Sequence, residues 1–513
     1  MLVLGVDLGT QSLKAVVCDA QLAVRGQHAV GYATQYPAPD RAEQDPRAWE
    51  AALGPAIAGA LAQAGAGPGD IAALAIAGQL DGCIAVDAHG APLHPALIWQ
   101  DRRAVAEAAR FDPARLFALT GQVADPGHMA PKLVWLRAAC PGAVRFHQPV
   151  SYLVERLTGV AAIDPALAST TMLLELATAR WAPVLLDAFS VTPGELPGLR
   201  PACDVAGGLT AEGARLTGLV AGTPVAVGTG DDFAAPLGAG LAGVPAGGPA
   251  DSSAGGPADS SAGGLADSPV ICAIGTAEVV GALAATPVLD RAGEPMVETH
   301  AYPAGGFFVE NPGWMSGGAV RWAARLLGLA GDAELDALAA SAPPGAGGVT
   351  FIPALAGAMT PVWRPHARGT LHGLAAGHGR AHVARAVLEG LAFAARDVIE
   401  RLAGLGLPAH HVLLLGGGAR SRVWNQIRAD VTGRPHHVAA RTDATPIGAA
   451  MIAAVAAGLA PDLAALAALA PPPAATYLPD PRTAEPAAEA YRRYQRLVAQ
   501  LAPLVVAPWA PDY

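Results

Sequence analysis

The sequence predicts an α/β protein of two large lobes, and three observations carry that reading. At 513 residues the chain is too long for one core, since single hydrophobic cores stop growing near roughly 250 to 300 residues. Short apolar runs such as Ile71 to Ala77 read as strands buried on both faces and are separated by helical stretches, the pattern of sheets covered by helices. Each half also opens with the same device, a strand running into a Gly-Thr turn, at Leu2 to Thr10 and again at Val270 to Thr276.

Composition narrows the function classes. Hydrophobic residues make up 52% and charged residues 15%, with 61 Gly and 45 Pro, which describes a globular chain that buries a sizeable core. The formal net charge is -10, and no Lys/Arg-rich run with interleaved aromatics is present. Nucleic acid and anionic membrane surfaces are therefore not expected partners, and a small polyhydroxylated ligand fits better. The five cysteines, Cys18, Cys83, Cys140, Cys203 and Cys272, follow no metal-ligand spacing and are expected to be reduced, mostly buried thiols of a cytoplasmic protein. The opening Met-Leu-Val-Leu-Gly-Val-Asp lacks export features and reads as a first strand. The uncharged stretch from Thr445 to Pro461 is Ala- and Gly-rich, too short and weakly apolar for a membrane span, and reads as a buried helix.

In order along the chain, Leu2 to Val6 and Leu13 to Val17 form a hairpin around Asp7-Leu8-Gly9-Thr10-Gln11-Ser12. A helix over Pro46 to Ala64 precedes the strand at Ile71, which ends in Gly78-Gln79-Leu80-Asp81-Gly82. Val225 to Val227 runs into Gly228-Thr229-Gly230-Asp231-Asp232, after which the texture turns Gly-, Ala- and Pro-rich and marks a boundary near residue 240. Ala246 to Asp267 repeats Gly-Gly-Pro-Ala-Asp-Ser-Ser-Ala in tandem, too poor in large apolar residues to pack, and reads as a mobile surface insert. The second half adds a strand at Val412 to Leu415 leading into Gly416-Gly417-Gly418, and closes with Ala-rich helices. The expected division is a domain over 1–240, an insert over 245–268, a second domain over 269–485, and a C-terminal helix and tail over 486–513.

Three of these turns suit phosphoryl transfer, which needs phosphate-holding groups, a metal to offset charge, and a base against the attacking hydroxyl. Asp7-Leu8-Gly9-Thr10 places a carboxylate, a glycine and a hydroxyl on one turn; alone it reads first as an ordinary hairpin. Gly275-Thr276 is a second turn of this type, and two such turns from two domains would grip a polyphosphate from both sides. Gly416-Gly417-Gly418-Ala419-Arg420-Ser421 lets backbone approach a ring or phosphate, or is plain loop chemistry. The histidine pairs His410-His411 and His436-His437 read as exposed loop residues, because adjacent side chains point apart and no carboxylate completes a metal site.

The run Gly369-Thr-Leu-His-Gly-Leu374, followed by His382-Val-Ala-Arg-Ala-Val-Leu-Glu389, resembles the second signature of the FGGY carbohydrate kinases. The similarity extends through Asp7 to Thr10, Gly78-Gln79, Trp99 to Arg102, Pro131 to Trp135, Gly230-Asp231, Gly275-Thr276 and Gly416 to Arg420, with xylulokinases the most similar members. The resemblance implies two ribonuclease H-like domains of the actin and hexokinase type, with the active site in the cleft between them. It implies ATP and Mg²⁺ as cofactors, a small sugar as substrate, and a homodimer.

By the same resemblance, Asp231 is the catalytic base and Asp7 with Asp231 the metal residues. Gln79, Leu80, Asp81, Trp99, Asp101 and Asp232 contact the sugar. Thr10, Gln11, Lys14, Gly275, Thr276, Gly417, Gly418, Ala419 and Asn425 bind ATP. The expected reaction is D-xylulose to D-xylulose 5-phosphate. The chain departs from the pattern at Leu80-Asp81-Gly82, where xylulokinases usually show Met-His-Gly, at Ser151, and at Met129. Asp81 opens the alternatives of ribulose, gluconate or an alditol as substrate, and Ser151 with Asp81 that of a nucleotide-binding regulator that binds sugar without turning it over.

Overall fold

The computed structural model describes residues 1–243, 268–364, 367–441 and 443–501; the repeat-containing insert and the end of the tail lie outside them. In the first lobe, β1 (Leu2–Leu8), β2 (Ser12–Cys18) and β3 (Val24–Gly31) form an antiparallel meander. Helix α1 (Pro46–Ala64) starts on the Asp45 side-chain cap with Pro at its first position and stops at Gly65 in the left-handed region, the usual asymmetry of helix ends. The chain then returns as β4 (Ile71–Gly78), parallel to β1. Helices α2 (Met129–Ala139) and α3 (Pro149–Thr158) precede β5 (Val205–Gly208) and β6 (Pro224–Ala226), which complete the main path in the order β5-β6-β4-β1-β2-β3. Helix α4 (Asp231–Gly238) ends the lobe.

The second lobe repeats this plan. Strands β7 (Val270–Ile274), β8 (Ala277–Ala284), β9 (Glu298–Ala301) and β10 (Phe307–Met315) are followed by α5 (Gly317–Leu326) and the long α6 (Arg380–Gly404). Then come β11 (Val412–Leu415), α7 (Arg422–Thr432), β12 (His436–Val438), α8 (Thr445–Ala456), β13 (Ala475–Tyr477) and α9 (Ala484–Leu501). The sheet order is β9-β10-β8-β7-β11-β12-β13. As in the first lobe, the opening strand is central, pairs antiparallel with the next strand, and pairs parallel with the strand that follows the covering helix.

Helix α8 crosses back over the first sheet, so closely that a Cβ on Gly5 would fall 1.9 Å from the Pro446 carbonyl oxygen. It packs on α4, whose Phe233 reaches Phe308 of the second sheet at 6.3 Å between rings. These two helices fill the space between the lobes, and their alanines join side chains of both sheets in one shared core. The expected buried helix from Thr445 is therefore present as the element between lobes. All five cysteines are free, four of them buried. Among the described residues no helix is long and apolar enough to cross a membrane.

One expectation is corrected. His436 is not an exposed loop residue: it lies buried on β12, where neighbouring strands β11 and β13 cover it.

Candidate active site

Three chain segments deliver carboxylates to one place. β1 and β4 run parallel and in register to Leu8 and Gly78, so the turns after them emerge side by side. The pair Thr229–Gly230 adds to the other edge of β4, continuing the side taken by β6, and feeds directly into α4. Asp7, the loop Gln79 to Asp81, and Asp231 thus converge at the carboxyl ends of parallel strands, where open α/β sheets bind ligands. The close approach is built in, since a Cβ on Gly78 would meet the Leu8 side chain at 2.7 Å.

Asp231 occupies the first turn of α4 and is half-buried. Burial pushes its carboxyl up to about 6, against the pull of the backbone N–H groups of Asp231 and Asp232, and Asp81 adds repulsion. Burial and the charge of Asp231 push Asp7 up to about 8, with Lys14 opposing. Asp232 is held well above the ordinary carboxylate range by burial and then by Asp231 and Asp81. Carboxylates that raise one another in this way suit a divalent cation, which would stand in for their protons. Among the described residues no group of three or more His, Cys, Asp or Glu forms a metal cage. The arrangement fits Mg²⁺, which is commonly held by one or two carboxylates together with waters and substrate phosphates.

The first Gly-Thr turn is braced on every side. The Gly9 N–H donates to the Ser12 carbonyl at 3.1 Å, Tyr32 donates its hydroxyl to the Gly9 carbonyl, and Gln44 donates to the Thr10 carbonyl at 2.6 Å. Trp99 donates its indole N–H to Thr10 Oγ1 at 3.0 Å. In the second turn the Gly275 N–H donates to the Ala277 carbonyl at 2.8 Å, and Arg321 donates to Thr276 Oγ1 at 3.1 Å. A cavity of about 450 Å³ lies between the lobes here, lined by Gln11 and by Met315, Gly318, Arg321, Trp322, Arg325 and Leu355. That size suits a nucleotide-sized ligand.

The glycine-rich turn after β11 sits beside the second turn, because β7 and β11 are parallel neighbours. Gly416 has φ 80 and stands against the Ile274 main chain, whereas a Cβ on Gly417 would meet nothing within 4 Å. Asn425 donates to the Ala419 carbonyl at 2.8 Å and leaves its buried Oδ1 without a partner. Lys14 forms an ion pair with Asp443 from the other half of the chain.

In the loop after β4, Gln79 is 2% exposed, donates to Gln44 Oε1 at 2.9 Å, and leaves its own Oε1 unpartnered. Leu80 packs on Gly230. Asp81 has φ 60, a left-handed conformation that is strained for a residue with a side chain. Its N–H donates to Gln148 Oε1 at 3.0 Å and its carbonyl accepts from Lys132 at 2.9 Å. Lys132 is fully buried among backbone carbonyls, and burial pulls its pKa down to about 8.

The structure corrects one of the expected sugar contacts. Asp101 is fully buried, and its oxygens are taken by Arg103 and by the Ala42 N–H, so it offers nothing to the cleft. The sequence reading also missed residues that the fold brings to the site. His128, at the start of α2, lies 3.1 Å from Asp81, and beyond it stand Glu298, His300 and Glu310 of the second lobe. Arg321 and Arg325 were missed as well, although their i, i+4 spacing on the exposed face of α5 was a readable signal.

Two lobes of duplicated topology, closing a cleft with paired carboxylates on one side and glycine turns on the other, define a phosphotransferase of the sugar-kinase type. The family model for the N-terminal domain of FGGY carbohydrate kinases matches residues 2–238, and that for the C-terminal domain matches 270–457. A xylulose kinase of Escherichia coli (strain K12) is 31% identical over 518 residues, spanning 98% of this chain and 99% of that protein. A glycerol kinase of Thermus brockianus is 35% identical over 479 residues, spanning 89% and 90%. The crystal structure of xylulose kinase from Rhodospirillum rubrum is 28% identical, covers 99% of this chain and 100% of its own, and superposes with a TM-score of 0.82. The chain belongs to the FGGY family of carbohydrate kinases, and is an enzyme that uses ATP with Mg²⁺.

Proposed function

We propose that the chain phosphorylates a small ketose, D-xylulose to D-xylulose 5-phosphate, with Asp231 as general base. The observation that carries this reading is the convergence of Asp231 with the unpartnered Gln79 Oε1 and with Asp81. These are acceptors, matched to a ligand rich in hydroxyl donors. The near full-length likeness to the Escherichia coli xylulose kinase supports the choice of sugar.

The hydroxyl that attacks gives its proton to Asp231, whose raised pKa of about 6 suits a base working near neutrality. Gln79 and Asp81 orient the remaining hydroxyls, Leu80 and Trp99 close the apolar side, and Asp232 stands beside the base. Thr10, Gln11, Lys14, Gly275 and Thr276 hold the phosphates, and Gly417, Gly418, Ala419 and Asn425 hold the rest of the nucleotide. Asp7 and Asp231 would hold Mg²⁺, which when bound offsets phosphate charge. Residues 1–240 carry the sugar side and 269–485 the nucleotide side of a cytoplasmic homodimer.

A second reading, a glycerol or alditol kinase, is favoured by one residue. Asp81 stands where xylulokinases usually carry His, and the glycerol kinase match is of comparable extent. Phosphorus NMR of products formed from D-xylulose, D-ribulose, gluconate, glycerol and ribitol separates the readings. A single new phosphomonoester from D-xylulose supports the first, and one from glycerol or ribitol alone replaces it.

A further inference from the structure

We infer that His128, gripped between Asp81 of the sugar loop and Glu298 of the opposite lobe, is the positioning residue that sets sugar selectivity. The inference rests on the sugar-kinase reading above. His128 is 4% exposed. Its Nδ1 lies 3.1 Å from Asp81 Oδ1, with Gln122 Nε2 on the same side of the ring at 3.2 Å, and its Nε2 lies 3.3 Å from Glu298 Oε1. A ring with a carboxylate oxygen near each nitrogen is favoured as the imidazolium, which hydrogen-bonds Asp81 through Nδ1 and faces Glu298 through Nε2 at ion-pair distance without a hydrogen bond. Burial opposes that charge, but Asp81 and Glu298 outweigh it and hold the His128 pKa well above its ordinary value.

The main chain and the side chain of Asp81 are clamped separately. Gln148 and Lys132 hold its left-handed backbone, while His128 takes Oδ1 and leaves Oδ2 for the ligand. Asp81 is the departure from xylulokinases that lies in the sugar loop and carries a charge, so the group that fixes its side chain fixes the selectivity filter. Glu298 in turn accepts the Val123 N–H at 2.7 Å and approaches His300 at 3.7 Å, which stands 3.5 Å from Glu310. Glu310 Oε2 is buried without a partner. The second lobe thereby holds the filter of the first.

Calorimetric titration of the full chain with D-xylulose, ribitol and glycerol, without ATP, scores this independently of turnover. His128→Asn is expected to weaken binding of the preferred sugar about tenfold to a hundredfold and to narrow the spread across the panel, with ATP affinity changed less than about threefold. Glu298→Gln is expected to move the panel in the same direction by less, and it decides the matter if His128→Asn fails to fold. Unchanged affinities and unchanged ratios in a folded variant overturn the inference. A wild-type protein that binds none of the sugars overturns it together with the reading it rests on. Binding without turnover refutes the kinase reading alone and leaves the variants to score the inference.

Discussion

Gly448 of α8 lies directly against the main chain of Ala234 in α4: a Cβ built on it would fall 2.0 Å from the Ala234 carbonyl oxygen. Gly238 makes the reciprocal approach, 2.0 Å from the Ala444 carbonyl oxygen. The two helices between the lobes thus cross at backbone contact, which any side chain would prise apart. Gly448→Ala is expected to cost roughly 1–3 kcal/mol, as overpacking does, and to lower the Tm by several degrees. Gly417→Ala, in open space, is the control and should leave the Tm unchanged.

The second lobe contains a buried bidentate pair. Arg428 Nη1 and Nη2 each lie 2.6 Å from a Glu278 oxygen, both side chains are essentially unexposed, and Ser316 donates to Glu278 at 2.7 Å. Removing one partner strands a charge. Glu278→Ala is expected to lose about 3–5 kcal/mol in urea unfolding, and Glu278→Leu combined with Arg428→Met to recover most of that loss.

His436 gives the second lobe an acid-sensitive element. Burial pushes its pKa down to about 3, from an unfolded value of 6.5. Between those values the unfolded chain binds a proton that the folded imidazole refuses. The contribution to stability is therefore full above pH 6.5 and lost as pH falls toward 3, by about 3 kcal/mol at pH 4.5. His436→Gln should flatten that slope in denaturation measured from pH 7 to 4.5.

Lys14 is expected to contact phosphate, yet Asp443 holds it in a partly exposed ion pair. Asp443→Asn should free Lys14 and lower the KM for ATP by up to about fivefold, the range of an exposed pair, while leaving the sugar KM unchanged. Steady-state kinetics with ATP varied at saturating sugar, and with sugar varied at saturating ATP, checks it.

Much of the scaffold was legible because it follows local pattern. Pro46 and Gly65 bracket α1, and the apolar runs at Ile71 and Val412 became the parallel strands β4 and β11. The convergence of Asp7 with Asp231 was legible only through the family resemblance. Asp101 misled because its position in a motif does not reveal that Arg103 folds back on it. His128, Glu298, His300 and Glu310 were not legible: Val123 meets Glu298 across 175 positions of chain, and no spacing rule spans a lobe boundary. His436 was misread because a short strand between two others buries one residue of a polar pair as readily as an apolar one.

The most direct test of the account is ADP release, by a coupled assay with ATP and Mg²⁺, over the sugar panel for the wild-type protein and Asp231→Asn. The account predicts sugar-dependent turnover in the wild type that falls about 10²- to 10⁴-fold in the variant, the span of a lost general base, while calorimetric sugar binding persists. Turnover in Asp231→Asn equal to that of the wild type would contradict it.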